Sequence, residues 1–261
     1  MKKFLQSALR RFHWRFFSRP LPDRLAIYFH ALDAHEHEPF AVAIRWIQTQ
    51  GYSFVSPGEF LTAPGKVCLV SFDDNFKAWH DALPFFNALG LQAAFYTNTC
   101  VLRGESSAAE EERYCRVINY QRPFVPLSRQ DIQEMHSAGH WFGAHTHSHV
   151  ALSRVSPQVA EDELKRNRDI LEDITGSPVT DMAFPFGLPR FFSPAARDVA
   201  VRVGFKTIAW ATSGMLHHQG DPLMIHRTQW NYGMSETDNA RIMQVDGGLF
   251  VRLTGRSPVG V

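Results

Sequence analysis

KVCLVSFDDNF, residues 66–76, is an apolar run that ends in two adjacent aspartates. Its Val- and Leu-rich stretch starts just after Gly65 and reads as a strand buried on both faces, the kind that parallel sheets covered by helices use. Two neighbouring carboxylates repel each other, and burial raises the cost of keeping both ionised. A strand that carries Asp73-Asp74 into a core therefore needs a positive charge beside it.

On either side of this strand, short apolar runs alternate with helical patterns. LAIYFH (25–30), YSFVS (52–56), QAAFYTN (92–98), HWFGAH (140–145), TDMAFP (180–185) and FKTIAW (205–210) read as six further strands. Helices are expected over about 38–50 and 77–89, then from the capping-box-like Ser128-Arg129-Gln130-Asp131 to Gly139. Others run from Pro157 to Gly176, from Pro194 to Gly204 and onward from Ser235, with a short one starting at Pro57. Seven strands alternating with helices imply a parallel α/β fold, either an open doubly wound sheet or a closed barrel. Residues 99–127 are polar and uneven and are expected to form an insertion over the surface. The tail after Gly247 reads as a loosely tied terminus.

The 261 residues suffice for one large domain or two small ones. Lys and Arg number 27 against 26 Asp and Glu, a net +1, so no global field points to nucleic acid. With 21 Phe and 6 Trp the chain suits a large core or a sugar-binding cleft. Cys68, Cys100 and Cys115 form neither a disulfide framework nor a zinc ribbon. Residues 1–22 make a basic segment. Leu5, Leu9, Phe12 and Phe16 share a helical face, with Lys2, Lys3, Arg10, Arg11, Arg15 and Arg19 around it. Two readings stand: a helix on an anionic membrane surface, or one packed on the domain. The segment has no uninterrupted apolar stretch or cleavage site, and no transmembrane length occurs elsewhere. The expected location is cytoplasmic, with peripheral contact at the inner membrane face as an option.

Reactive residue types gather where strands end: His30, Asp73-Asp74, His145 and His149, Phe184-Pro185-Phe186-Gly187, and Ala211-Thr212-Ser213-Gly214. In parallel α/β folds these ends share one face, where active sites lie. Two imidazoles four apart and a carboxylate can hold a divalent cation with coordination positions left open. A bound cation would also resolve the aspartate pair, one carboxylate serving as ligand and the other kept ionised beside it.

These residues resemble the polysaccharide deacetylases, the NodB-homology or carbohydrate esterase family 4 domain. Ser71-Phe72-Asp73-Asp74-Asn75 resembles the family's Thr-Phe-Asp-Asp-Gly, and His145-Thr146-His147-Ser148-His149 its His-[Ser/Thr]-x-x-His. Met182-Ala183-Phe184-Pro185-Phe186-Gly187 looks like a third motif. The likeness covers about residues 25–230 and is closest in pattern to the branch that deacetylates poly-N-acetylglucosamine.

The resemblance implies a distorted (β/α)7 barrel, with residues 23–261 as one catalytic domain, and metal-dependent hydrolysis of the amide C–N bond of an N-acetylated or lipid-linked glycan. It implies that Asp74, His145 and His149 bind the metal, usually zinc, and that Asp73 is the general base toward metal-bound water. Two histidines compete to protonate the leaving amine, His30 in Tyr28-Phe29-His30 and His226 in Ile225-His226-Arg227; His30 is the favoured choice. Arg227 either orients Asp73 or pairs on the surface. Asn75, which replaces glycine and suits a left-handed turn, is placed with Phe184, Pro185, Phe186 and Trp210 on the substrate face. Other readings are a non-catalytic glycan- or partner-binding relative, an amide hydrolase with a non-sugar substrate, and a non-haem iron oxygenase, which the order Asp…His…His disfavours.

Overall fold

The computed structural model describes residues 18–191 and 193–254; most of the basic N-terminal segment lies outside them. Strands β1 (Arg24–Phe29), β2 (Ser53–Phe54), β3 (Val67–Asp74), β4 (Ala94–Thr97), β5 (Trp141–Ala144), β6 (Asp181–Ala183), β7 (Thr207–Ala211) and β8 (Ile225–Gln229) all pair in parallel. The order β1-β8-β7-β6-β5-β4-β3 closes through β1–β3 pairing into a seven-strand barrel. The main helices are α1 (His37–Thr49), α2 (Ala78–Asp81), α3 (Leu83–Ala88), α4 (Ala108–Ile118), α5 (Arg129–Ser137), α6 (Pro157–Thr175), α7 (Pro194–Val203), α8 (Glu236–Gln244) and α9 (Gly248–Thr254).

The barrel closes differently from the strand count expected of the sequence. YSFVS contributes only Ser53 and Phe54, paired with Val67 and Cys68 on the lower half of β3. From Ser71 upward the same edge of β3 belongs to β4. The missing seventh stave is β8, which the sequence hides because IHRTQ carries an arginine and a histidine in a buried strand. Three smaller expectations also change. Pro57 opens turns rather than a helix, residues 108–118 of the insertion form α4, and the tail after Gly247 starts α9.

Alternation along the strands separates two cores. Cys68, Val70 and Phe72 of β3 face the helices, where Phe72 stacks between Phe29 and Phe95 at 5.4 and 5.0 Å. Burying one such ring contributes about 1.5–3 kcal/mol. Val67 and Leu69 face the lumen with Ala26, Ala94, Ala183, Ala209 and Ile225. These small residues leave room for Tyr96, whose ring lies 2.6 Å from where a Cβ on Gly143 would stand, so glycine is required there.

His140, just before β5, packs edge-on to Phe86 and Phe95 at 5.3 and 5.5 Å, and its Nδ1 accepts from the Ala93 N–H at 3.2 Å. Burial pushes its pKa down to about 4. The unfolded chain, with a histidine pKa near ~6.5, takes the proton first. This group's contribution is therefore whole above about pH 6.5 and is lost as pH falls toward 4. Urea unfolding at pH 7 and pH 4.5 should show a loss of about 2 kcal/mol from it. The variant His140→Gln should show a flatter slope; an unchanged slope would remove His140 from the account.

Candidate metal centre

Asp74 ends β3, and His145 and His149 follow β5. Asp74 Oδ1 lies 3.3 Å from His149 Nε2 and 3.8 Å from His145 Nε2, all three residues buried. The Nδ1–H of His145 donates to the Ala183 carbonyl at 2.8 Å, which leaves Nε2 as the free lone pair. Burial pushes His145 down to about 4, so its imidazole is neutral, the form that ligates. Asp74 Oδ1 has no hydrogen-bond donor among the described residues, a costly state for a buried carboxylate unless a cation stands there. The donor set fits a divalent metal.

Backbone strain collects at the same place. Asp74, Thr146, His149 and Phe186 have φ of 87°, 61°, 57° and 58°. Each such residue costs about 1–3 kcal/mol and persists only where its surroundings hold it. A buried amide network supplies that hold. Asn167 of α6 accepts from the His145 N–H at 2.8 Å and donates to the Thr97 carbonyl and Thr99 Oγ1 at 3.0 and 2.9 Å. Asn98 donates to the carbonyls of His145 and Thr146 and accepts from the Tyr114 hydroxyl of α4 at 2.7 Å.

Asp73 points into the lumen beside the cluster and is bound at both oxygens by Arg227 of β8. Nη1 donates to Oδ1 at 2.7 Å and Nη2 to Oδ2 at 2.8 Å, and Nη1 also reaches Ser71 Oγ at 2.9 Å. Arg227 is fully buried between the rings of Tyr28 and Tyr96, its Cζ 4.8 and 5.2 Å from their centroids. Burial pushes the Asp73 carboxyl up, but Arg227 outweighs it and holds the pKa below the ordinary carboxylate value. Asp73 is therefore ionised and able to accept a proton. The choice left open for Arg227 falls on the interior.

A cleft of about 300 Å³ opens over these groups, lined also by Tyr28, His30, Phe184, Phe186 and Gln229. Phe186 sets its ring edge-on to His149 at 4.7 Å. Gly187 lets this loop pass β7, since a Cβ there would sit 2.7 Å from the Ala211 nitrogen.

Four further expected site residues do not line the cleft. His226 and Trp210 are register partners, one residue away from the inward-facing Arg227 and Ala209. By the two-residue alternation of strands both point outward. The Trp210 ring meets Phe184 at 4.3 Å, and His226 Nδ1 lies 2.6 Å from Thr212 Oγ1. Asn75 is wholly buried and ties the insertion down, donating to the carbonyls of Asn98 and Val101 at 3.0 and 2.8 Å and accepting from the Leu127 N–H at 2.8 Å. The left-handed turn expected at Asn75 falls one residue earlier, at Asp74. Pro185, between Phe184 and Phe186 in the chain, is buried.

Asn98, Asn167 and Tyr114 were not expected in the site. Asn167 did leave a trace: it occupies a core position in the series Ala160, Leu164, Asn167, Leu171 and Ile174 on α6. A polar residue on an apolar stripe must satisfy its hydrogen bonds somewhere inside.

Solved structures share this arrangement of strands. The deacetylase PplD of Streptococcus pyogenes, in complex with acetate, superposes with a TM-score of 0.66 at 20% identity over 87% of this chain and 98% of its own. IcaB from Ammonifex degensii gives 0.65 at 18% identity over 84% and 94%. A de-N-acetylase from Aggregatibacter actinomycetemcomitans gives 0.61 at 14% over 84% and 98%. At such identities the likeness is one of fold. No curated protein matches the sequence. A family model does, the one described as polysaccharide deacetylase, over residues 61–208. That stretch is more than half of the chain and holds both the Asp73-Asp74 strand end and the two-histidine loop, so this chain belongs to the polysaccharide deacetylase family.

Proposed function

We propose that the protein is a zinc-dependent hydrolase that removes N-acetyl groups from a glycan. The observation that carries this reading is the meeting of Asp74, His145 and His149 beside an Asp73 held ionised by Arg227. A divalent metal held by Asp74 Oδ1 and the two Nε2 atoms would polarise both water and the acetamide carbonyl. Asp73 lies beside this cluster and takes the proton from the attacking water, its second lone pairs free of the Arg227 fork. Phe186 and Phe184 line one side of the cleft.

Collapse of the tetrahedral intermediate needs a proton on the leaving nitrogen, and His30 is the cleft side chain that can give it. In His30→Ala, kcat on an N-acetyl substrate should fall by about 10²-fold, and less on an O-acetyl ester, whose leaving group needs less help. In His226→Ala, kcat should stay within about twofold on either. The reverse ranking would move the acid to His226.

The reading as a whole is tested by elemental analysis of the purified protein together with acetate release from acetylated glycans. Zinc bound at one equivalent, lost in Asp74→Ala, with acetate released only by the loaded protein, supports it. No acetate from any acetylated glycan after metal is restored would sink it. For the basic N-terminal segment we propose contact with an anionic membrane surface. The full chain should float with anionic vesicles, and a chain lacking residues 1–17 should not; equal flotation of both would end that proposal.

A further inference from the structure

A second and larger groove, of about 860 Å³, opens on the far side of His149 and Phe186. Three arginines from three separate segments line it: Arg113 on α4, Arg154 on the turn after the histidine loop, and Arg166 on α6. Among the described residues none of the three has a carboxylate within ion-pair distance. The groove's own acids are already engaged. Glu105 accepts from Arg129 Nε at 2.6 Å, and Glu110 closes the capping box of α4 through Ser107 N and Oγ at 2.8 and 2.7 Å. The whole chain carries only +1, so this concentration of cations is local rather than a by-product of a basic protein.

A ladder of rings connects the two sites. The Phe186 ring is 4.7 Å from that of His149 and 5.5 Å from that of Phe191, and Arg154 lies over Phe191 with its Cζ 4.8 Å from the centroid. Stacking orients that guanidinium at little entropic cost. Aromatic faces suit the apolar faces of sugar rings, and a guanidinium fork matches the oxygens of phosphate or carboxylate.

We propose that this groove binds an anionic substituent, phosphate or uronate carboxylate, of the same glycan whose acetamide enters the metal cleft. The natural substrate is then an acidic acetylated saccharide and not a neutral polymer. The proposal rests on the deacetylase reading for the identity of the reacting group, but the groove can be tested without catalysis.

The metal-loaded full chain is titrated with glucose 1-phosphate, methyl glucuronide and methyl glucoside, none of them acetylated, while backbone amide shifts are followed. Either or both anionic sugars should shift residues 99–117 and 147–155 and bind about tenfold more tightly than methyl glucoside. Which one does so tells phosphate from carboxylate. The double variant Arg154→Gln/Arg166→Gln should abolish the preference, and Arg45→Gln on α1, remote from the groove, should keep it. With matched acetylated oligosaccharides, the double variant should raise KM about tenfold for the anionic one, and that difference should shrink in high salt. Equal binding of the three sugars, or a preference that survives the double variant, overturns the proposal. Arginine-dependent binding of anionic sugars without acetate release would overturn the deacetylase reading and leave the groove standing. Deacetylation of neutral and acidic glycans alike would do the opposite.

Discussion

Asp73→Asn should lower kcat by about 10³-fold on any substrate the wild type deacetylates, with metal content unchanged. The substitution keeps the shape of the side chain but removes the carboxylate that, among the described residues, lies beside the metal cluster and is free to take a proton. Asp74 Oδ1 faces His149 and His145 instead. The variant also strands Arg227, which is fully buried. An uncompensated interior charge costs about 3–5 kcal/mol. Metal analysis and a folding check must therefore accompany the kinetics. A folded, metal-loaded Asp73→Asn protein with more than about a tenth of wild-type kcat would remove Asp73 from the base role.

The second large effect is expected at Arg227. Arg227→Met leaves Asp73 buried with its ion partner gone and should destabilise the fold by about 3–5 kcal/mol at neutral pH. The sign with pH follows from Asp73. In the wild type its folded pKa lies below the ordinary value, so the pair's contribution is present above the unfolded carboxylate pKa and is lost as pH falls through the folded one. In Arg227→Met, burial is no longer opposed by the guanidinium, the folded pKa rises, and the variant should regain stability as pH falls. Its kcat should also retreat at the acid side, because Asp73 becomes protonated within the working range. The double variant Asp73→Asn/Arg227→Met should recover much of the stability that either single change loses, since no buried charge is then left alone. Additive losses in that cycle would mean the pair is not energetically coupled.

The contrast between Asp73 and Arg227 shows how far a linear reading reaches. The aspartate pair was legible because it interrupts an apolar strand, and the two histidines because they stand four apart at the end of another. Local spacing carries both signals. Arg227 had no such local signal and was marked only through the family resemblance, with its role left open: 154 residues separate it from Asp73, and IHRTQ lacks the apolar run by which the other buried strands announce themselves. The side chain is tolerable in the lumen only because the carboxylate neutralises it and Tyr28 and Tyr96 cover its faces. Asn167 lies between these cases, visible as a polar residue on the buried stripe of α6 but with its partners hidden.

By itself the sequence determined the α/β alternation, the two-faced burial of residues 67–72, and the three side chains suited to a metal, because each follows from periodicity or from residue chemistry over a few neighbouring positions. Only the tertiary structure decided that β8 and not residues 53–54 completes the barrel, that His226 and Trp210 face away while His30 faces in, and that Asn75 anchors the insertion. Those outcomes depend on strand register and on which edge of β3 is free. Register is set by packing among segments far apart in the chain, and a shift of one residue would turn every side chain of a strand to the opposite face.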